Sequence, residues 1–255
     1  MQKICIYNIS DKKIKIMKKI KKNEDYFNQI DSELKAYLLG FFLADGCVMN
    51  PSSGSKCVSM CLQESDKCVL EWFIKEIAPE IKITSYTKPS TGHTQYSFKF
   101  TAKKMAENLE EIWGIKSKKT QDVEFKFPFE KIPSELIHHF IRGFFDGDGW
   151  LMTRKHYDTG SIPPQFGFVS TSLNFILQLK ELIPPITEPR ICTNQGKNMI
   201  YYQLIYSLGK GRVPAIKAWL YNDAHFYLDR KKEKFELECG NTELTEEITK
   251  GSSEV

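Results

Sequence analysis

Two aspartates stand in matching surroundings, and their spacing is the strongest chemical signal in the chain. Asp45 sits near the end of LLGFFLADG (38–46) and Asp148 near the end of IRGFFDGDG (141–149), 103 residues apart. In both, an apolar run passes into Asp-Gly, the pattern of a helix that stops at a glycine. A carboxylate suits that position poorly. The C-terminus of a helix carries partial negative charge, and an acid there costs up to about 1 kcal/mol. If the two helices pair, two carboxylates come together and their repulsion calls for a counter-charge. A divalent cation supplies it. Oxygen-rich sites with few protein ligands suit Mg²⁺, which keeps waters and binds substrate phosphates. Two acids, a hard cation and phosphate point to metal-assisted phosphodiester hydrolysis. The competing reading, solvated helix-end residues in turns, would win for one Asp-Gly and is weak for two.

The elements that must position these acids are also written twice. IDSELKAYLLGFFLADG is matched by IPSELIHHFIRGFFDGDG. After each comes a short strand (CVMN or WLMTR) and a second strand (CVSMCLQ or QFGFVST). An amphipathic helix follows (DKCVLEWFIKEI or SLNFILQLKELI). Two more strands are IKITSYT and TQYSFKFT in one half, RICTN and MIYYQLIYS in the other. A last helix is expected to carry Trp113 in one half and Trp219 in the other. Here the offset is 106, so that Tyr96, Phe98 and Phe100 match Tyr202, Leu204 and Tyr206. Self-similarity of this length marks an internal duplication. The fold class is therefore α+β, with two pseudo-symmetric α-β-β-α-β-β-α halves. Strand–turn–strand spacing implies antiparallel sheets. Alternation in TQYSFKFT puts Tyr96, Phe98 and Phe100 on a packed face and Gln95, Ser97 and Lys99 on a polar one.

Asp31 or Ser32 can cap the first repeated helix, and Pro133-Ser134 opens the second. From Leu34 to Ala44 the first helix has no polar stripe, so it must be covered on most sides. Gly40 and Ala44, and Gly143 and Gly147, are small residues four apart. That spacing lets two helix backbones approach closely, which would make this helix pair the seam between the halves. The organisation expected is a lysine-rich lead-in over 1–30, a first half over 31–125, a second over 126–239 and an acidic, disordered tail over 240–255.

Composition bounds the partners. With 255 residues, 41% hydrophobic and 27% charged, the chain suits a globular protein with ample core. Neither a signal peptide nor a membrane span is expected. Seven scattered cysteines without C-x-x-C suggest reduced thiols in an intracellular protein rather than zinc or disulfides. The net charge is +4, but 240–255 hold four acids and one base, so the remaining body is more basic, and 11–22 hold seven lysines. Such a body can bind nucleic acid.

LLGFFLADG and IRGFFDGDG resemble the two signature motifs of the LAGLIDADG homing endonucleases in their single-chain, two-motif form. The resemblance covers roughly 26–239. It implies that the motif helices form the central interface and that each half lays a saddle-shaped antiparallel sheet in the DNA major groove. It implies that Asp45 and Asp148 bind the catalytic metals, with the Ala44 and Gly147 carbonyls able to complete the coordination. The metal would be Mg²⁺, with Mn²⁺ as a substitute and Ca²⁺ supporting binding without cleavage. One basic residue per half is expected near the site, and Lys119 and Lys231 (over Lys232) fit. The sixth motif position is Leu43 in one copy and Asp146 in the other, so Asp146 is not a shared ligand.

Strand parity then selects the DNA-facing residues. In the first half they are Lys56, Ser59, Lys82, Tyr86, Gln95, Ser97 and Lys99. In the second they are Arg154, His156, Arg190, Asn194, Tyr201 and Gln203. Lys and Arg pair with guanine and Asn and Gln with adenine, while others hold phosphate. His138 and His139 read as structural residues, and no His/Cys cluster has metal spacing. The expected partner is double-stranded DNA bound by a monomer. Two alternatives remain open: a DNA-binding regulator that does not cut, and an intron-RNA-binding maturase.

Overall fold

The repeated segments form two helices that cross at their glycines. They are α1 (Glu33–Asp45) and α4 (Ile137–Asp148). A Cβ on Gly40 would overlap the carbonyl oxygen of Phe140, and one on Gly143 would overlap that of Tyr37. The two clashes are pseudo-symmetric, and both obstacles are backbone. Only residues without a Cβ permit this separation. The apolar circumference of the first helix is used in full, and its residues from Ala36 to Leu43 are all buried.

The computed structural model describes residues 20–51, 54–152, 163–197, 199–209 and 211–239. After α1 come β1 (Gly46–Met49), β2 (Cys57–Gln63), α2 (Lys67–Ile77), β3 (Thr84–Thr87), β4 (Thr94–Thr101) and α3 (Lys103–Glu111). After α4 come β5 (Trp150–Met152), β6 (Gln165–Ser170), α5 (Leu173–Leu182), β7 (Arg190–Gln195), β8 (Ile200–Ser207) and α6 (Val213–Tyr221). A further helix, α7, spans 229–239. The sheets have the same antiparallel order, β1-β2-β4-β3 and β5-β6-β8-β7. Met60 faces Phe98 in one and Phe168 faces Leu204 in the other, so the offset of 106 in the fourth strand is a true structural equivalence.

Several local expectations need correction. Trp113 lies beyond the end of α3, whereas Trp219 is inside α6. They are not equivalents. Trp113 is instead a buried plug whose indole N–H donates to the Phe27 carbonyl at 2.7 Å. Ser32 occupies the α1 N-cap without a side-chain cap bond, and α4 begins only after a 3-10 turn over Ser134–Leu136. Gly46 and Gly149 are extended (φ −74° and −76°), not left-handed. They are needed for space, since a Cβ on either would strike the ring of Phe42 or Phe145.

A buried charge fixes how the halves sit together. Arg142 on α4 is 0% exposed. Its Nη2 donates to Glu33 Oε1 on α1 at 2.7 Å, and its other nitrogens reach the carbonyls of Phe226 and Leu220, both at 2.9 Å. Glu33 also accepts from the backbone N–H groups of His225 and Phe226. Such a group tolerates only the arrangement that satisfies it, because losing one partner strands a buried charge. Asp146 acts similarly. It is fully buried, and it accepts from Tyr37 Oη (2.8 Å), Tyr221 Oη (3.3 Å) and the Leu228 N–H (2.8 Å).

Replacing Gly40 or Gly143 by Ala should destabilise the protein by about 1–3 kcal/mol or more, since backbone on the facing helix must move. Denaturant melts will measure this, and a loss below about 0.5 kcal/mol would contradict the close crossing.

Candidate active site

Asp45 and Asp148 are the last residues of α1 and α4, so the crossing brings both to one end of the helix pair. The approach is close there too. A Cβ on Gly147 would stand 3.0 Å from Asp45 Oδ2. Both aspartates remain exposed on one side. The protein packed around them nevertheless raises both carboxyl groups. Asp45 is pushed up to about 6, first by burial and then by the charge of Asp148. Burial also raises Asp148, against the pull of Lys119 and Lys231. Solvent on the open side screens these effects.

The two lysines cap the ends of the two helices. Lys119 follows Lys118, a residue in the left-handed region (φ 58°). Its Nζ donates to the carbonyls of Phe42 (3.1 Å), Ala44 (2.6 Å), Gly46 (2.8 Å) and Leu43. Lys231 on α7 donates to Phe145 (3.1 Å) and Gly149. Phe42 and Gly46 are the motif counterparts of Phe145 and Gly149, so the lysines are pseudo-symmetric mates. Each puts a cation at the negative end of its helix, on a carbonyl that also accepts from the glycine after the helix, and so offsets the acid placed there. Burial lowers both ammonium groups to about 8. Lys232 turns away, its Nζ lying 3.2 Å from Tyr227 Oη.

Two further residues of this site escaped sequence reading. Asp66, just before α2, forms a two-pronged ion pair with Arg230 of the other half, at 2.6 and 2.7 Å. They stand 164 residues apart in the chain. Only the position of Asp66 before an apolar helix was a local signal, and it reads as a cap.

The donor set at the helix ends is all oxygen: two carboxylates and the neighbouring Ala44 and Gly147 carbonyls. It fits a hard divalent cation. The Ala44 carbonyl already accepts from Lys119, so a cation there would share that oxygen with the ammonium.

A second cluster, His138, His139 and Asp223, has ligand atoms within 4.8 Å of one another, so metal spacing does occur among the described histidines. Arg142 Nη1 lies 2.7 Å from His139 Nδ1. An arginine only donates, which leaves the His139 proton on Nε2 and no free lone pair for a metal. Burial lowers His139 to about 4, so it is neutral. These histidines are structural.

No family model and no curated protein matches the chain. Solved structures do match it. I-SmaMI bound to uncleaved DNA target in the presence of calcium ions aligns with a TM-score of 0.56 at 12% identity, over 86% of this chain and 93% of that one. The I-SmaMI LAGLIDADG homing endonuclease bound to cleaved DNA gives 0.53 at 12% identity, over 87% and 92%. The LAGLIDADG homing endonuclease I-GzeII in complex with DNA target gives 0.53 at 12% identity, over 86% and 92%. The chain has the LAGLIDADG homing endonuclease fold. At this identity the likeness is one of fold, and the residues must carry the chemistry.

In this LAGLIDADG fold each sheet turns one face to its helices and the other outward. The outward face of the first sheet carries cross-strand rows: Cys47, Ser59 and Lys99; Cys61, Ser97 and Thr84; Gln63, Gln95 and Tyr86. Ser59, Tyr86, Gln95, Ser97 and Lys99 therefore lie where parity put them, joined by Cys61 and Gln63, which sequence reading passed over. Lys82 is exposed just before β3. Lys56 is a correction. It precedes β2 with inward parity, and its Nζ pairs with Glu110 on α3. On the second sheet Arg190, Asn194, Tyr201 and Gln203 face outward, and Asn194 Nδ2 donates to Gln203 Oε1 at 3.1 Å. Arg154 and His156 lie outside the described residues.

A raised carboxyl binds protons more tightly in the folded state. The contribution of Asp45 to stability should therefore fall as pH rises from about 4 to about 6. In chelator, Asp45→Asn should melt higher than the unaltered protein at pH 7.5 and show no advantage at pH 4. Equal melting at pH 7.5 would mean that Asp45 is not raised in the folded protein.

Proposed function

We propose that this protein is a site-specific endonuclease that cuts both strands of a long DNA duplex, one per half, with Mg²⁺ as its cation. The observation that carries this reading is the pseudo-symmetric constellation at the helix ends. Two exposed carboxylates come together there, each helix end capped by a lysine whose ammonium is held near 8. Asp45 and Asp148 would hold the cations, with the Ala44 and Gly147 carbonyls. A bound divalent cation supplies Lewis-acid polarisation of the phosphate and a more acidic water.

The chain's own residues do the rest. Lys119 and Lys231 place positive charge where the pentacovalent phosphate gains negative charge. Ammonium groups near 8 can also give up or hold a proton at working pH. Gln95, Gln203 and Asn194 present amide pairs suited to adenine, while Lys99 and Arg190 suit guanine or phosphate. Both acids lie on one chain, so the constellation is complete in a monomer.

Selection on a randomised duplex library tests this directly: binding in Ca²⁺, exchange into Mg²⁺, then sequencing of the ends. A discrete site cut on both strands is expected. Asp45→Asn and Asp148→Asn should each slow cutting about 100-fold or more while leaving affinity within a few-fold. A site bound but never cut would make the protein a DNA-binding regulator. Full activity in Asp45→Asn would remove that residue from the chemistry, and preference for intron RNA at matched salt would point to a maturase.

A further inference from the structure

The two sheets differ in chemistry where their outward rows match. On the first sheet Cys47, Ser59 and Lys99 stand side by side across β1, β2 and β4. Register places Trp150, Gly167 and Ile205 at the same points of β5, β6 and β8. A thiol, a hydroxyl and an ammonium in one half are thus replaced by carbon in the other. The neighbours continue the contrast. Met152 lies outward two residues beyond Trp150 and is 43% exposed, while Leu151 between them is buried. Val169, outward on β6, is half-buried. Among the described outward residues of β5 and β6, only Gln165 has a polar side chain apart from the indole nitrogen of Trp150.

Trp150 and Gly167 fit one another. A Cβ on Gly167 would stand 2.7 Å from Trp150 Cζ2 and 2.9 Å from Cε2, so the indole lies directly against the glycine. Glycine weakens a strand interior, and here it leaves room for a ring to lie close to the sheet. The side chain is only partly covered. Its Nε1 is buried and has no hydrogen-bond partner among the described residues. Indole carries no other polar atom. What Trp150 turns outward is therefore carbon alone, which can neither donate to a base nor accept from one.

The floor of the major groove offers polar atoms at every base pair and one apolar group, the methyl of thymine. We propose that Trp150, seated on Gly167, is a specificity-determining residue that takes a thymine methyl, so that the two half-sites of the target differ in chemistry. β5 leaves the end of α4 directly, and Trp150 stands two residues after Asp148. The thymine therefore lies near the centre of the site, in the half under the second sheet. The matching row of the first sheet, with Ser59 and Lys99, suits guanine or phosphate instead. This rests on the DNA recognition in the reading above and not on cleavage.

The test is affinity in Ca²⁺ for the duplex recovered by the selection, with each thymine replaced in turn by deoxyuridine. That exchange removes one methyl group and leaves every hydrogen-bonding atom in place. Burying one methyl is worth about fourfold in affinity. A thymine near the centre of one half-site should lose about three- to fivefold as deoxyuridine, and Trp150→Ala should bind the two duplexes within about 1.5-fold of each other. Lack of any such thymine would overturn the proposal, and so would an undiminished loss in Trp150→Ala. If Trp150→Ala fails to fold, the unaltered protein decides. Deoxyuridine carrying bromine in place of the methyl, set at the responsive position and irradiated, should crosslink to the peptide that holds Trp150. A crosslink elsewhere, or none, overturns the proposal. These readouts need no cleavage, so a target that is bound and never cut sinks the endonuclease reading alone. A protein that selects no discrete duplex overturns both.

Discussion

Everything at the active site depends on how closely the backbones of α1 and α4 approach. Gly40 lies against the Phe140 carbonyl and Gly143 against the Tyr37 carbonyl. That separation decides whether Asp45 and Asp148 form one site or stand apart as two unrelated turns. The motif helices are therefore a structural device first. Their apolar residues bind each half to the other, and their ends carry the two carboxylates. Arg142 and Asp146 add specificity to that packing. Each is a buried charge whose partners come from both halves, so a slipped or rotated seam would leave it unpaired.

The site is electrostatically unfavourable by construction. Two acids end two helices at the poles where negative charge is least welcome. The lysines offset this by donating to the carbonyls of Phe42, Ala44 and Gly46 on one side and Phe145 and Gly149 on the other. What they leave uncompensated is the burial and, after it, the charge of Asp148 that raise Asp45. In the proposed reading, a cation held by the two carboxylates would relieve the second of these. Stability and function are thus opposed at the same atoms, as is usual for preorganised sites.

Much of this was legible in the sequence because the gene is written twice. Repetition turned one weak Asp-Gly signal into a pair and fixed the strand order, while the family resemblance pointed to Lys119 and Lys231. Parity placed Ser59, Gln95, Ser97, Lys99, Arg190, Asn194, Tyr201 and Gln203 on outward faces. It failed at Lys56, which lies outside the strand proper and answers to Glu110 on a helix. Trp113 was misread for the opposite reason. A matched offset suggested an equivalence that the backbone does not keep, because the chain leaves α3 before reaching it. The Asp66–Arg230 pair was invisible because repetition does not show it. Its counterparts are Ser172 and Lys118, so the two halves differ where comparison between them was the only guide.

The central claim is that the glycine-crossed helices bring Asp45 and Asp148 together to hold the catalytic cations. Anomalous diffraction from crystals of the protein with its recovered DNA target, grown in Mn²⁺, tests it most directly. The account predicts Mn²⁺ against both carboxylates and the scissile phosphates. Manganese bound to only one of these aspartates and away from the phosphates, or found only at His138, His139 and Asp223, would contradict it.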